Sequence, residues 1–146
     1  MSAALESWYS LRDLMALAER GDVLEGTIDL VRFERLKELL NSSEGSARAR
    51  FAFSLRDDDV LLVELECEAA LELICQYCLD PMRHEVRERV GFAVAESEDS
   101  LAVVPQGMEP IALNGERFRP ATVIEDELIV SLPLVPRHGD DKHQER

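Results

Sequence analysis

The feature of this chain that most constrains its fold is an alternating pattern with a period of two over residues 60–75. One parity is apolar or cysteine throughout: Leu61, Val63, Leu65, Cys67, Ala69, Leu71, Leu73 and Cys75. The other parity carries a row of carboxylates: Glu64, Glu66, Glu68 and Glu72. A period of two residues predicts a β-strand with one buried and one exposed face. Because strands rarely exceed about ten residues, we expect a bend or a break near Cys67.

A second alternating run follows after a short linker. Its polar parity is Arg83, Glu85, Arg87 and Arg89, and its other parity is largely apolar, with Glu88 as the exception. Two such runs joined by a tight turn predict an antiparallel hairpin, in which the arginines pair with the glutamate row across the strands. Two functional interpretations stay open beside that one. Arg83, Arg87 and Arg89 could contact RNA phosphates, and Glu64, Glu66 and Glu68 could bind a basic protein.

Helical periodicity is confined to residues 11–20, 32–40 and 123–131, whereas residues 23–30 and 49–55 read as strands. Ser10 and Asp13 predict the start of the first helix, and Thr122 with Glu125 predicts a capping box for the last one. Residues 96–110 are expected to form a long loop, and Asn114-Gly115 a tight turn. We therefore predict one α+β domain over residues 1–136, with an antiparallel sheet core over 49–95 and short helices at both ends. Residues 137–146 are predicted to be a polar, flexible tail.

The turn between the two runs carries a CxxC motif, Cys75 and Cys78. Two thiols at this spacing can bind one metal ion, close a redox disulfide, or simply pack, and we expect their sulfur atoms within about 4 Å of each other. A thioredoxin-type site would need a helix after the motif, and an alternating strand pattern follows instead. In an unbroken strand Cys67 would lie about 26 Å from Cys75, so we interpret Cys67 as a small core residue. His84 is near both cysteines and is either a third ligand or an ordinary edge histidine, which we favour.

Composition narrows the class of protein further. A hydrophobic content of 46% in 146 residues fits one folded domain, and no run of 18 apolar residues predicts a membrane span. The first residues lack a secretion signal and the three cysteines are an odd number, so we expect a reducing cytoplasm. The net charge of −14 repels nucleic acid as a whole and favours a basic partner. No catalytic motif is present, so we predict a protein that is not an enzyme.

Two segments resemble the YceD family of large ribosomal RNA subunit accumulation proteins. Cys75-Gln-Tyr-Cys78-Leu79-x-Pro81 is similar to the family's C-x-R-C-L-x-P signature, and residues 124–129 with 132–138 are similar to its second block. The resemblance covers roughly residues 50–138. It implies a ribosome-biogenesis factor that supports synthesis, processing or stability of large-subunit ribosomal RNA, with that RNA or a basic ribosomal protein as its partner.

This chain departs from the family pattern at three places. Tyr77 replaces the usual arginine, Phe118-Arg119-Pro120 replaces a common Ile-Asp-Leu, and the cysteine after the histidine of the second block is absent, with His143 near its place. The resemblance brings His138 and His143 forward as ligands that, with Cys75 and Cys78, could hold a zinc ion. The alternative function is therefore a small CxxC-dependent metal-binding or thiol-redox protein.

Overall fold

Five strands form one mixed sheet in sequence order, in a computed structural model that describes residues 3–56, 60–101, 104–133 and 135–136. The strands are β1 (Val23–Asp29), β2 (Ser46–Leu55), β3 (Leu61–Ile74), β4 (Pro81–Ala95) and β5 (Met108–Ala112). The first four pair antiparallel, as predicted, whereas β5 pairs parallel to β4. A parallel neighbour needs a crossover, which the segment after β4 supplies. The predicted loop 96–110 therefore contains a 3₁₀ turn, Glu98–Leu101, and the start of β5.

The long alternating run is a single strand, and the predicted break near Cys67 is wrong. The register of β3 with β4 is continuous from Leu61 opposite Val94 to Ile74 opposite Pro81. Burial alternates along the strand as the sequence pattern requires. The strand exceeds the usual length because β4 is equally long and supplies backbone hydrogen-bond partners along all of it.

Four α-helices accompany the sheet in the described part of the chain: α1 (Ala3–Glu6), α2 (Leu11–Arg20), α3 (Glu34–Lys37) and α4 (Pro120–Val130). The α2 prediction is confirmed in detail. Ser10 Oγ accepts from Asp13 N at 3.1 Å, Asp13 Oδ2 accepts from Ser10 N at 3.0 Å, and Gly21 ends the helix at φ 69°. The helix predicted over 32–40 is shorter, because a 3₁₀ turn occupies Leu30–Arg32 and α3 ends at Lys37.

The last helix begins earlier than predicted, and the predicted capping box is wrong. Its N-cap residue is Arg119, whose side chain makes no capping hydrogen bond, and Pro120 occupies the first turn. Proline suits that position because its φ is already helical and its missing N–H has no intrahelical partner there. Thr122 therefore lies inside the helix, and Glu125 does not cap this helix but contacts α3.

The core lies between one face of the sheet and the helices. Phe51 of β2 is fully buried, stacks on Phe53 at 6.4 Å between ring centroids, and meets Phe118 edge-on at 6.2 Å. Leu14 of α2 and Leu128 of α4 are also fully buried in this cluster. The opposite face of β1–β4 carries charged side chains. Residues 57–59 and the predicted tail at 137–146 lie outside the described residues.

Within the described ranges, no helix has both the length and the apolar character that a membrane crossing requires.

Candidate functional site

The predicted glutamate row and arginine strip lie side by side on the outer face of the β3–β4 hairpin. Register places Glu72 opposite Arg83, Glu68 opposite Arg87 and Glu66 opposite Arg89. Arg87 Nε lies 3.4 Å from Glu68 Oε2, and Arg89 Nη2 donates to Glu64 Oε1 at 3.0 Å. The predicted cross-strand pairing is therefore present. Arg83 instead pairs along its own strand, with its Nε 3.0 Å from Glu85 Oε2.

A further row of arginines on β2, which the sequence pattern did not single out, completes this face. Arg48 Nη1 donates to Glu68 Oε1 at 3.3 Å, so Glu68 bridges an arginine on each neighbouring strand. Arg50 lies between Glu66 of β3 and Glu25 of β1, with 4.0 Å from its Nε to Glu25 Oε2. The signal was available, because Arg48 and Arg50 share the exposed parity of β2. The strand order brings these arginines next to the glutamate row, because it places β3 between β2 and β4.

The result is a face of alternating charge, which we call the Glu–Arg ladder. It has two rungs that cross the sheet: Glu25–Arg50–Glu66–Arg89 and Thr27–Arg48–Glu68–Arg87. A groove of about 810 Å³ runs over both rungs. The hydrogen bond from Arg89 to Glu64 raises the pKa of that guanidinium. Exposed pairs of this kind contribute about 0–1 kcal/mol each and weaken with salt, so the ladder shapes recognition more than stability.

The CxxC turn, which we call the knuckle (residues 75–80), is closed by its own backbone. Leu79 N donates to Cys75 O at 2.7 Å, and Cys75 N donates to Asp80 O at 3.0 Å. Leu79 adopts a positive φ of 61°, which is uncommon for a non-glycine residue. Gln76 N donates to Pro136 O at 2.7 Å, so the segment after α4 returns to the knuckle. The two segments that resemble the YceD family thus meet in space.

The two cysteines of the knuckle differ in exposure. Cys75 is fully buried in a small apolar cluster with Leu73 and Met82, and Cys78 is half-buried against the same cluster. No disulfide joins any of the three cysteines, all of which lie in the described part of the chain. The expected separation of the two sulfur atoms stays a prediction.

A metal ion at the knuckle would need ligands beyond the two thiols. The described ranges contain no group of three or more histidine, cysteine, aspartate or glutamate side chains arranged to hold one. His84 lies opposite Leu71, about 13 Å along the strand from Cys75, and its Nε2 is 3.2 Å from Ser131 O. His138 and His143 lie outside the described residues. Cys75 and Cys78 could therefore serve as two zinc ligands, and the set of four stays a prediction.

Cys67 is a core residue, as predicted. Its side chain is 3% exposed, and burial, together with the charges of Glu127 and Glu88, raises the pKa of the thiol to about 11. A thiol that stays protonated at neutral pH is a poor nucleophile and a poor metal ligand.

Glu125 is the one buried charged side chain in the described ranges, at 7% exposure. Its Oε2 accepts from Arg35 N at 2.8 Å and from Leu36 N at 3.0 Å, and its Oε1 accepts from Arg35 Nη2 at 3.1 Å. A carboxylate on α4 therefore caps the N-terminus of α3, where backbone N–H groups lack intrahelical partners. The sequence pattern predicted Glu125 as a cap of its own helix. A contact between residues 90 positions apart leaves no local signal, so the pattern did not reveal the contact with α3.

Comparison with known proteins places these elements in a family. A model of the family described as "Large ribosomal RNA subunit accumulation protein YceD" matches residues 63–146, which include the β3–β4 hairpin, the knuckle and α4. A relative from Haemophilus influenzae that bears the same description is 29% identical over 112 residues, or 75% of this chain. The aligned region spans 64% of that relative's length, which is less than two thirds. No solved structure matches this chain.

Proposed function

Because the chain belongs to the YceD family, we propose that it is a non-catalytic factor in ribosome biogenesis that supports synthesis, processing or stability of large-subunit ribosomal RNA. The observation that carries this proposal is the family match over residues 63–146. The same description of the Haemophilus influenzae relative, whose alignment extends over 75% of this chain, supports it.

The geometry of the outer sheet face supports a role in binding. The ladder presents charged groups at fixed spacing on four hydrogen-bonded strands, so little conformational entropy is lost when a partner docks. Each arginine of the predicted strip, Arg83, Arg87 and Arg89, already has a carboxylate within 4.0 Å, so RNA phosphates would compete with glutamates there. Glu64, Glu66 and Glu68 are paired with ladder arginines in the same way, so the ion pairs do not decide between the two partners. The net charge of −14 does, because it repels RNA and attracts a basic protein. We therefore propose that Glu64, Glu66 and Glu68 contact a basic ribosomal protein.

The cellular role is tested by removing the gene and measuring ribosomal RNA. We expect the ratio of large-subunit to small-subunit ribosomal RNA to fall, and to recover when the wild-type protein is supplied from a plasmid. An unchanged ratio in the deletion strain, under growth conditions in which the protein is normally expressed, would contradict the proposed function.

The role of the ladder is tested by charge reversal. The triple variant Glu64→Lys/Glu66→Lys/Glu68→Lys should lose ribosomal proteins that co-purify with the tagged wild type after RNase treatment. A matched control, Glu19→Lys/Glu38→Lys/Glu44→Lys, changes the net charge equally at exposed positions away from the ladder and should retain them. Equal loss in both variants would show a general charge effect, and retention in both would remove the ladder from the binding surface.

A further inference from the structure

The chain carries an exposed aromatic and basic surface at a site remote from the ladder in sequence. An isolated antiparallel bridge joins Tyr9 to Phe118, with Tyr9 N donating to Phe118 O at 2.8 Å and Phe118 N donating to Tyr9 O at 2.7 Å. Phe118 is 3% exposed and packs in the core. In extended backbone successive side chains point to opposite sides, so the residues that flank Tyr9 and Phe118 point away from the core. Trp8, the only tryptophan in the sequence, is 58% exposed.

A neighbouring arginine is held over the indole. The guanidinium carbon of Arg119 lies 5.6 Å from the centroid of the Trp8 ring, and Arg119 Nε donates to Glu6 O at 3.2 Å. The Glu6 carboxylate is bound mainly by Arg32, whose Nη2 lies 2.6 Å from Glu6 Oε1, whereas Arg119 Nη2 is 4.0 Å away. The Trp8 side chain is therefore oriented by a cation and still presents most of its surface to solvent.

Two more arginines in this region form no close ion pair within the described residues. Apart from Arg56, every described arginine other than Arg12 and Arg117 has an ion pair of 4.0 Å or less with a described residue. Both are exposed, and both lie close enough to Asp13 for their charges to lower its pKa, after the larger effect of its hydrogen bonds with Ser10. In a chain of net charge −14, three arginines thus lie within three residues of the Tyr9–Phe118 bridge, and two of them, Arg12 and Arg117, share one exposed carboxylate, Asp13.

We propose that this surface, the Trp8 patch (Trp8, Arg12, Arg117 and Arg119), binds single-stranded RNA, with a nucleobase stacked on the indole and phosphates on the guanidinium groups. The proposal rests on the proposed function, which supplies ribosomal RNA as the relevant nucleic acid. An exposed aromatic ring with arginines nearby is the combination by which proteins bind unpaired strands, with a base on the ring and phosphates on the cations. Arg12 and Arg117 have no ion pair to 4.0 Å within the described residues, so phosphate can bind them without first breaking one, whereas each ladder arginine is already paired.

The test uses the full-length protein and a 5′-fluorescein-labelled 20-nucleotide oligouridine as the probe. Fluorescence anisotropy follows binding, and Trp8 emission reports the patch directly, because the chain has no other tryptophan. We expect unlabelled oligouridine to quench Trp8 emission over the concentration range in which anisotropy rises. The variant Trp8→Leu should bind the probe about 5- to 100-fold more weakly, from the loss of one stacked base.

The charge contribution is tested with two double variants that change the net charge equally. Arg12→Ala/Arg117→Ala should weaken binding at least tenfold at low salt and make the slope of log K against log salt shallower by about 1.4, or 0.7 for each phosphate contact. Arg87→Ala/Arg89→Ala on the ladder should bind like the wild type. Circular dichroism and thermal midpoints of all variants exclude loss of fold as the cause.

Several results would overturn the proposal. They are absence of probe binding by the wild type, a rise in anisotropy without quenching, equal weakening by the two double variants, and displacement of the probe by poly-glutamate as effectively as by RNA. The last result would identify the patch as a site for an acidic protein. A normal ribosomal RNA ratio in the deletion strain would contradict the proposed function alone, and rescue of that ratio by a protein that fails to bind the probe would contradict this inference alone.

Discussion

At the scale of single residues, Glu125 shows how one side chain joins distant parts of the chain. Its carboxylate accepts two backbone N–H groups of α3 and one from the Arg35 guanidinium, at distances of 2.8 to 3.1 Å. Without it, the buried N–H of Leu36 and the partly buried N–H of Arg35 would lose their acceptor. Leaving buried donors unsatisfied is more damaging to stability than losing an exposed ion pair.

We therefore expect Glu125→Ala to lower the free energy of unfolding by about 1–3 kcal/mol, mainly from the unsatisfied N–H of Leu36. Urea unfolding followed by circular dichroism measures it. Asp126→Ala is the matched control, since Asp126 pairs with the same arginine at 2.7 Å but is half exposed, and it should change stability by less than about 1 kcal/mol. Equal effects of the two variants would contradict the capping role of Glu125.

The knuckle cysteines lead to a prediction about metal dependence. Cys75 is fully buried among apolar side chains, and backbone hydrogen bonds close the turn around it. Because this packing does not require an ion, we expect the thermal midpoint of the purified protein to be unchanged by a strong chelator, and its zinc content to be well below one equivalent. One equivalent of zinc, and a midpoint that falls on chelation, would instead support a clamp formed by Cys75, Cys78, His138 and His143.

At the scale of elements, α4 places the Glu127 carboxylate near other acidic side chains. Burial raises the pKa of Glu127, and the charges of Glu109, Glu88 and Asp126 raise it further. The folded state therefore holds this proton more tightly than the unfolded chain does. Stability falls as pH rises from the ordinary glutamate pKa through the raised folded value, and the ionised carboxylate remains unfavourable at neutral pH.

We expect Glu127→Gln to raise the thermal midpoint at pH 7, and this gain to shrink at pH 4, where the wild-type carboxyl is largely protonated. Differential scanning fluorimetry at the two pH values measures both. Glu116→Gln, at an exposed position, is the control and should leave the midpoint unchanged. A gain from Glu127→Gln that is the same at both pH values would point to packing rather than to charge.

At the scale of the whole molecule, one apolar cluster includes side chains from α1, α2, α3, α4 and the first four strands. The sheet is continuous from β1 to β5, and Glu125 ties α3 to α4. No element of the described chain has a separate core large enough to fold alone, since the small cluster at the knuckle has only Leu73, Cys75 and Met82 as its buried members. Folding of these elements should therefore be cooperative.

We expect calorimetry to show a single transition with equal calorimetric and van't Hoff enthalpies, of roughly 100 kcal/mol for a chain of this size. Two resolved transitions, or a van't Hoff enthalpy well below the calorimetric one, would contradict the prediction of one domain over residues 1–136.

The sequence by itself determined the elements whose signals are local. Alternation identified β3 and β4, Ser10 and Asp13 marked the start of α2, and the positive φ angles of Asn114 and Gly115 confirm the predicted tight turn. The sequence also determined which face of β3 is buried, because a slip of one residue would bury its glutamate row and expose its leucines. The pairing of that row with Arg87 and Arg89 was predictable for the same reason.

Tertiary structure decided everything that depends on residues far apart in the chain. The parallel placement of β5, the length of β3, the start of α4, the role of Glu125 and the Trp8 patch have no local pattern. Each depends on which backbone or side-chain partner another segment brings: β4 for β3, α3 for Glu125, and the Phe118 segment for Trp8. Local propensities differ by a few tenths of a kcal/mol per residue, whereas satisfying a buried donor or covering a core residue is worth about 1–3 kcal/mol. Contacts between elements therefore outweigh local preferences, and at those places the fold differs from what the local patterns predict.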